Sequence, residues 1–319
     1  MTAVEAAPKK PKKQKRSATA ATETRSQPGL IGQNKALPYL FSFPAVMVVS
    51  AILAYPVLAG IYQSLFRAPE LGLDEEWVGF QNYTDLFNSS DFWWSLYRTA
   101  IFVAGNVFVG LTLGLFFSFA LYRAVGKFRW MRAATLAPYL ISNVAAAVMF
   151  RLMFNGDLGI INSFLAWFGI DGPLWLSDQR TAMIVVIFTQ VWTDLPLTIL
   201  LLLGGLMTVD KSYFDAALVD GASPFERARY VTIPLLVPQL VIATVWLSYS
   251  TLTGLGVVLA LTGGGPLDAT TTMAMEMYNI AFRALKFNEA LALATVILVL
   301  NALLTLVYVR IAKRYEIPS

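Results

Sequence analysis

Carboxylates are the side chains that this sequence places most suggestively for chemistry. Asp215 and Asp220 flank a short alanine-rich run that ends at Gly221, and Asp194 stands alone near the middle of a long apolar block. Histidine and cysteine are absent. Their absence removes the usual general base, the commonest metal ligand and the side chain best suited to relaying protons near neutral pH. It also excludes a disulfide framework, an iron–sulfur cluster and thiolate zinc sites. No G-x-x-x-x-G-K-[ST] sequence is present to cradle nucleotide phosphates. Nor is there a D-D-x-x-D motif, the usual mark of a membrane enzyme acting on lipid or polyprenyl substrates. The expectation is a chain that is not an enzyme, with no catalytic residue, no metal site and no cofactor of its own. Carboxylates in such a chain serve binding or coupling.

The elements that position these residues are apolar. Of 319 residues 57% are hydrophobic and only 14% charged, too few to cover the surface of a soluble domain. A membrane-spanning helix needs about 20 mainly apolar residues. Six blocks qualify, at 38–65, 96–122, 132–153, 181–207, 232–261 and 288–310. They are continuous runs, not the short alternating segments of a membrane β-barrel. Backbone groups in lipid must be satisfied within the segment, so helices are expected.

Loop charge then orients the spans. The N-terminal stretch carries Lys9, Lys10, Lys12, Lys13, Lys15 and Arg16. Glu70, Asp74, Glu75, Glu76, Asp85 and Asp91 stand against Arg67 in the next loop. Arg123, Lys127, Arg129 and Arg132 follow, then Asp157, Asp171 and Asp178. Lys211, Arg227 and Arg229 sit among acids in the fourth loop, and Arg310, Lys313 and Arg314 close the chain. Basic and acidic loops alternate, which puts both termini on the cytoplasmic side. The fold expected is all-α: a polytopic transmembrane helical bundle of six spans, with residues 1–36 a disordered basic cytoplasmic tail and 37–319 the transmembrane domain. The tail suits anionic lipid. No aromatic or folded basic surface accompanies it, so no nucleic-acid partner is expected. The prolines inside the spans (Pro44, Pro56, Pro138, Pro196, Pro234 and Pro238) permit kinks. No internal repeat suggests inverted halves.

The fourth loop, at 208–234, is the most legible part. Asp210 is a plausible N-cap for a short helix through Val219. Gly221 supplies a turn residue without the Cβ penalty. Ser223-Pro224-Phe225-Glu226 has the form of a capping box with proline at the first helical position. The sequence predicts two short helices with a sharp bend between them. Ala216, Ala217 and Ala222 would keep the surface low, while Leu218, Val219 and Phe225 would offer apolar groups to a soluble partner.

These residues resemble the EAA loop of bacterial ATP-binding-cassette importer permeases, whose pattern is E-A-A-x-x-D-G-A, a variable stretch, then an aliphatic residue and proline. The match is Asp215 through Ala222, closing with Ile233-Pro234. Aspartate replaces the leading glutamate at Asp215, and Ala228 sits where many relatives place an aromatic. The resemblance implies that Asp215, Ala216, Ala217, Asp220, Gly221, Ala222, Phe225 and Pro234 form the contact with a separate ATPase. Two ATPase subunits, holding ATP and magnesium, would close and tilt the permease helices. A second, non-identical permease subunit and an extracytoplasmic substrate-binding protein complete the implied complex, in a bacterial cytoplasmic membrane.

Arg151 through Asn162 resembles the segment after span three of carbohydrate-uptake permeases, and Leu261-Thr262-Gly263-Gly264-Gly265-Pro266 resembles the glycine-rich loop after span five. Together these matches implicate the first permease of di- and oligosaccharide or glycerol-phosphate importers. The glycine-rich loop has two open readings, a flexible outer loop or a surface for the binding protein. A sugar site needs aromatic faces and polar groups. Asn143, Trp192, Asp194, Tyr249 and Thr253 are the substrate-path residues expected on that basis, with Thr251 beside them. Packing remains the competing reading for Trp192 and Tyr249. For Asp194 the competing readings are a pairing with the second permease and bonds to groups freed by Pro196. An ion-coupled secondary transporter would use Asp194 but leaves the loop unexplained. Permeases for amino acids, peptides or phosphate are the alternatives within the class.

Overall fold

The computed structural model describes residues 37–67, 75–124 and 134–313. The basic tail at 1–36, Glu70, Asp74, Lys127, Arg129, Arg132 and Arg314 lie outside the described residues. Two compact units divide between Tyr55 and Pro56. In the first, α1 (Leu37–Val49) runs on through a π-helical turn at Ser50–Ala54. Every described side chain from Ser42 to Tyr55 is exposed. An apolar helix with no buried face is one whose solvent is lipid or another subunit.

The second unit begins along α2 (Tyr55–Gln63). A short antiparallel pair, β1 (Phe66–Arg67) and β2 (Glu76–Trp77), leads to α3 (Gln81–Asn88). The buried Asn82 ties this corner, donating to the carbonyls of Ser64 and Phe66 while Arg67 donates to its Oδ1. Then come α4 (Ser90–Ala124), a 3-10 turn at Ala137–Leu140, α5 (Asn143–Met153), α6 (Ile160–Ala166) and α7 (Gln179–Thr208). Next are α8 (Lys211–Val219), α9 (Pro224–Glu226), a π-helical stretch Arg227–Thr232 and α10 (Ile233–Leu235). The chain ends with α11 (Val237–Leu252), α12 (Leu255–Leu261), α13 (Met273–Tyr278) and α14 (Phe287–Lys313).

Four helical segments are long and apolar enough to cross a membrane: Ser42–Gln63, Ser90–Arg123, Gln179–Thr208 and Phe287–Ile311. Two further pairs are bent, Ala134–Leu140 with Asn143–Met153 by 98° and Pro224–Leu235 with Val237–Leu252 by 73°. Counting each pair as one span brings the number to six. The blocks at 132–153 and 232–261 are therefore not single helices. The first breaks at Ile141–Ser142, where the Ser142 hydroxyl caps α5 by accepting from Ala145 N–H at 3.2 Å. The second breaks at Leu236 and again at Thr253–Gly254. Pro44 and Pro196, by contrast, sit inside unbroken helices.

Small residues let the central helices approach. A Cβ at Gly105 would lie 2.8 Å from Ile187 Cδ1, and one at Gly114 would lie 2.7 Å from Thr198 Cγ2. Close approach through glycine is how membrane helices gain packing without a hydrophobic driving force. Around this seam Phe102, Ala147, Phe150, Val185, Val186 and Val258 form the main buried cluster. Gly114→Val should overpack the α4–α7 seam and cost about 1–3 kcal/mol. The expected outcome is a lower thermal unfolding midpoint of the purified protein in detergent. An unchanged midpoint would mean that this seam has slack.

Candidate functional site

The fourth loop is built as its residues dictate. Asp210 accepts from Ser212 N–H at 2.8 Å and starts α8. At the other end Gly221 adopts φ +75°, a left-handed conformation that only glycine takes without penalty. The bend is closed by Ala222 N–H to Ala217 C=O at 3.0 Å and Gly221 N–H to Leu218 C=O at 3.1 Å. Ser223 and Glu226 then complete the capping box, with Ser223 N–H donating to Glu226 Oε2 at 2.8 Å and Glu226 N–H to Ser223 Oγ at 3.3 Å. Bonds from the backbone N–H and then the side chain of Ser212 hold the Asp210 carboxyl below its ordinary range. The Ser223 side chain, then its backbone N–H, does the same for Glu226.

This geometry sorts the loop residues by face. Asp215, Ala216, Asp220, Gly221, Phe225 and Pro234 are exposed, and Ala222 is half-buried. Ala217 departs from expectation. It is 8% exposed and turns inward, where its carbonyl closes the bend. What projects outward is apolar: Val219 is 88% exposed and Phe225 74%, with Leu218, Tyr213 and Tyr230 also open. The loop is seated on the helices beneath it. Phe214 lies 6.3 Å, ring to ring, from Tyr122 at the end of α4. Gly205 near the end of α7 meets Gln239 and Leu236 so closely that a Cβ would not fit.

The five path residues do not form one cluster. Asp194 is 4% exposed, in the middle of α7. Its carboxylate accepts from Asn106 Nδ2 at 3.0 Å, Gln190 Nε2 at 2.9 Å and Ser250 Oγ at 2.8 Å. Asn106 also donates to Thr251 Oγ1 at 2.6 Å, and Gln190 to Ser250 Oγ at 3.1 Å. The knot thus joins α4, α7 and α11 one turn before the break at Gly254. Trp192 is half-buried and meets the Phe150 ring edge-on at 5.3 Å. Its other side lines an apolar cavity of about 390 Å³ with Pro138 and Pro196. Asn143 is exposed at the start of α5, near Gly256 of α12. Tyr249 and Thr253 are exposed one helical turn apart at the end of α11.

Sequence reasoning missed Asn106, Gln190 and Ser250. The available signal was two amides inside otherwise apolar blocks, where a polar group needs a partner. It also missed the part played by Asn162. That side chain donates to the Gly156 carbonyl at 2.8 Å and accepts from Trp175 Nε1 at 2.7 Å, clipping together the segment after α5. The glycine-rich loop after α12 is hydrogen-bonded throughout. Thr271 Oγ1 donates to Gly264 C=O at 3.1 Å and Thr270 Oγ1 to Gly265 C=O at 2.7 Å, with Gly264 at φ +93°.

Known proteins resemble this chain in sequence, and solved structures resemble it in fold. The sulfoquinovosyl glycerol transport system permease protein SmoG of Agrobacterium fabrum is 32% identical, over 88% of this chain and 91% of its own. The trehalose/maltose transport system permease protein MalF of Thermococcus litoralis is 31% identical, over 87% and 94%. The sn-glycerol-3-phosphate transport system permease protein UgpA of Salmonella typhimurium is 31% identical, over 88% and 96%. A solved bacterial ABC transporter involved in import of the acidic polysaccharide alginate has the same fold. It aligns at TM-score 0.74 and 20% identity, over 88% of this chain and 96% of that one. A second alginate transporter structure, in complex with its alginate pentasaccharide-bound periplasmic protein, covers 87% of this chain at the same score. The model of binding-protein-dependent transport system inner membrane components matches residues 36–317, and this chain belongs to that family.

Proposed function

We propose that this chain forms half of the translocation path of an ATP-driven importer for a sugar or oligosaccharide in a bacterial cytoplasmic membrane. In this reading it crosses six times, each bent pair counting as one span, and residues 37–319 form the permease domain. Both termini and the loop at 208–234 are cytoplasmic, as the alternation of loop charge supports. Residues 1–36 are the basic tail. The other half is a second, non-identical permease. Two ATPase subunits bind ATP and magnesium, and an extracytoplasmic binding protein delivers the cargo. The names of the relatives support the sugar class, and sn-glycerol 3-phosphate is the second reading because one relative is named for it.

The observation that carries the proposal is the shape of the loop. Two capped helices meet at Gly221 and present Leu218, Val219 and Phe225 outward. An apolar cap of that size on a polar loop is suited to burial in another protein. Asp215, Ala216, Asp220 and Ala222 border the cap, with Ala217 supporting it from within and the exposed Pro234 standing where the loop enters α10. The loop connects α7 directly to α10 and α11. A pull on it therefore moves two helices that are already bonded to each other through Asp194 and Ser250.

Within the path, Asn143, Tyr249 and Thr253 offer exposed polar and aromatic groups to a sugar, and the half-buried Trp192 of α7 packs against Phe150. Asp194 contributes by position, holding Ser250 directly and Thr251 through Asn106 beside the break at Gly254.

Transport of a panel of labelled sugars and of labelled glycerol 3-phosphate, by the intact complex with its binding protein, tests the cargo. Uptake of sugar alone is expected, and uptake of the phosphate ester alone would move the assignment. Gly221→Val puts a β-branched side chain in a left-handed bend, at about 1–2 kcal/mol. It should abolish transport-coupled ATP hydrolysis while leaving membrane insertion intact. Normal coupling in this variant would remove the loop from the mechanism. Asp194→Ala leaves the Ser250 hydroxyl without its acceptor, at about 1–3 kcal/mol, while Asn106 and Gln190 each lose one bond and keep their bonds to Thr251 and Ser250. The maximal transport rate should fall with the half-saturation unchanged, whereas a raised half-saturation would put the carboxylate on the substrate.

A further inference from the structure

A cavity of about 600 Å³ lies where the end of α4, the end of α7 and the loop helices meet. Phe116, Phe119, Leu206 and Phe214 give it an apolar wall, and Arg123 and Arg227 supply two positive charges. Among the described residues neither arginine has a carboxylate partner within ion-pair distance. The Nε of Arg227 is buried with no hydrogen-bond partner. Arg123 is exposed and Arg227 half-buried, so the cavity carries two guanidinium groups with no carboxylate partner among the described residues, and an anion there would balance them. Guanidinium groups match phosphate in geometry as well as charge.

The rest of the cavity says which phosphate. At about 30 Å³ per water in the liquid, its volume holds about twenty waters, far more than an inorganic ion needs. The apolar wall continues along α4 to Phe116, which is 65% exposed on the membrane-spanning helix. A free phosphate would leave that wall bare, whereas a lipid would cover it with acyl chain while its headgroup meets the arginines. Basic pockets at the cytoplasmic ends of membrane helices face a leaflet rich in anionic headgroups.

We propose that the cavity between Arg123 and Arg227 is a binding site for one anionic phospholipid of the cytoplasmic leaflet, seated beneath the loop helices. The proposal rests on the orientation given above, with this loop in the cytoplasm. A lipid here would touch α4, α7 and the root of the loop together, so its occupancy would tune how firmly the loop is held.

The test uses the intact complex, purified in mild detergent, delipidated and titrated with phosphatidylglycerol, phosphatidylcholine or sodium phosphate. Native mass spectrometry counts bound lipid, and the thermal midpoint reports stabilisation. Wild type should bind phosphatidylglycerol selectively and be stabilised by it. At about 1 kcal/mol per cationic group, Arg123→Gln or Arg227→Gln should weaken binding about fivefold and the double variant about 25-fold or more. Arg123→Lys should retain most of the affinity. No selective lipid on wild type, undiminished binding by the double variant, or equal stabilisation by sodium phosphate or phosphatidylcholine would each overturn the proposal. If the glutamine variants fail to assemble, lipid selectivity on wild type and the lysine variant decides it. Loss of the ATPase subunits from wild type during purification would instead count against the importer reading.

Discussion

The bond between Asp194 and Ser250 joins the two helices that flank the fourth loop. Much else depends on that join. The helix α7 enters the loop and α11 leaves it by way of α10, so the two form a hairpin with the loop at its tip. Near the tip Gly205 lets α7 meet Leu236 and Gln239 without a gap. Halfway along, the carboxylate and its three donors bind the pair again and add α4 through Asn106. In the proposed mechanism a hairpin fastened twice would move as one body, carrying force from the tip to the break at Gly254, where α11 gives way to α12.

Lipid sharpens the same constraint. Polar backbone that is not helical survives at membrane depth only when buried in protein or lining a cavity. The breaks at Ser142, Leu236 and Gly254 fit this rule. Ser142 caps α5, Leu236 N–H still reaches the carbonyls of Thr232 and Ile233, and Gly254 N–H bonds to Thr251 C=O. The same rule explains the company around Asp194. A lone acid in a span is expensive, and neutral amides and hydroxyls from three helices share the cost. Protein-internal donors then leave Asn143, Tyr249 and Thr253, not Asp194, as the groups with free faces.

Local chemistry was legible in the sequence, and long-range pairing was not. Asp210, Gly221 and the Ser223–Glu226 box each act within four residues, so their geometry follows from residue type and spacing. The bundle itself was legible as apolar blocks. Where those blocks break was not, because proline permits a kink without requiring one. Pro196 stays inside an unbroken α7, while Gly254 ends α11 with no proline beside it. Ala217 reads like its neighbour Ala216, and only the path of the bend decides that one turns inward. Asn106 and Gln190 were visible as amides in lipid, yet nothing in one sequence names their common partner 88 residues from Asn106.

In the proposed complex the apolar cap of the loop is buried in an ATPase subunit and carries its motion. The chain has no cysteine, so Val219→Cys creates a single thiol at the most exposed point of the cap. Labelled there with a thiol-reactive photocrosslinker and illuminated within the intact complex, it should join this chain to the ATPase and arrest ATP hydrolysis and transport together. Crosslinking to lipid or to the second permease alone, with hydrolysis and transport continuing, would contradict the account.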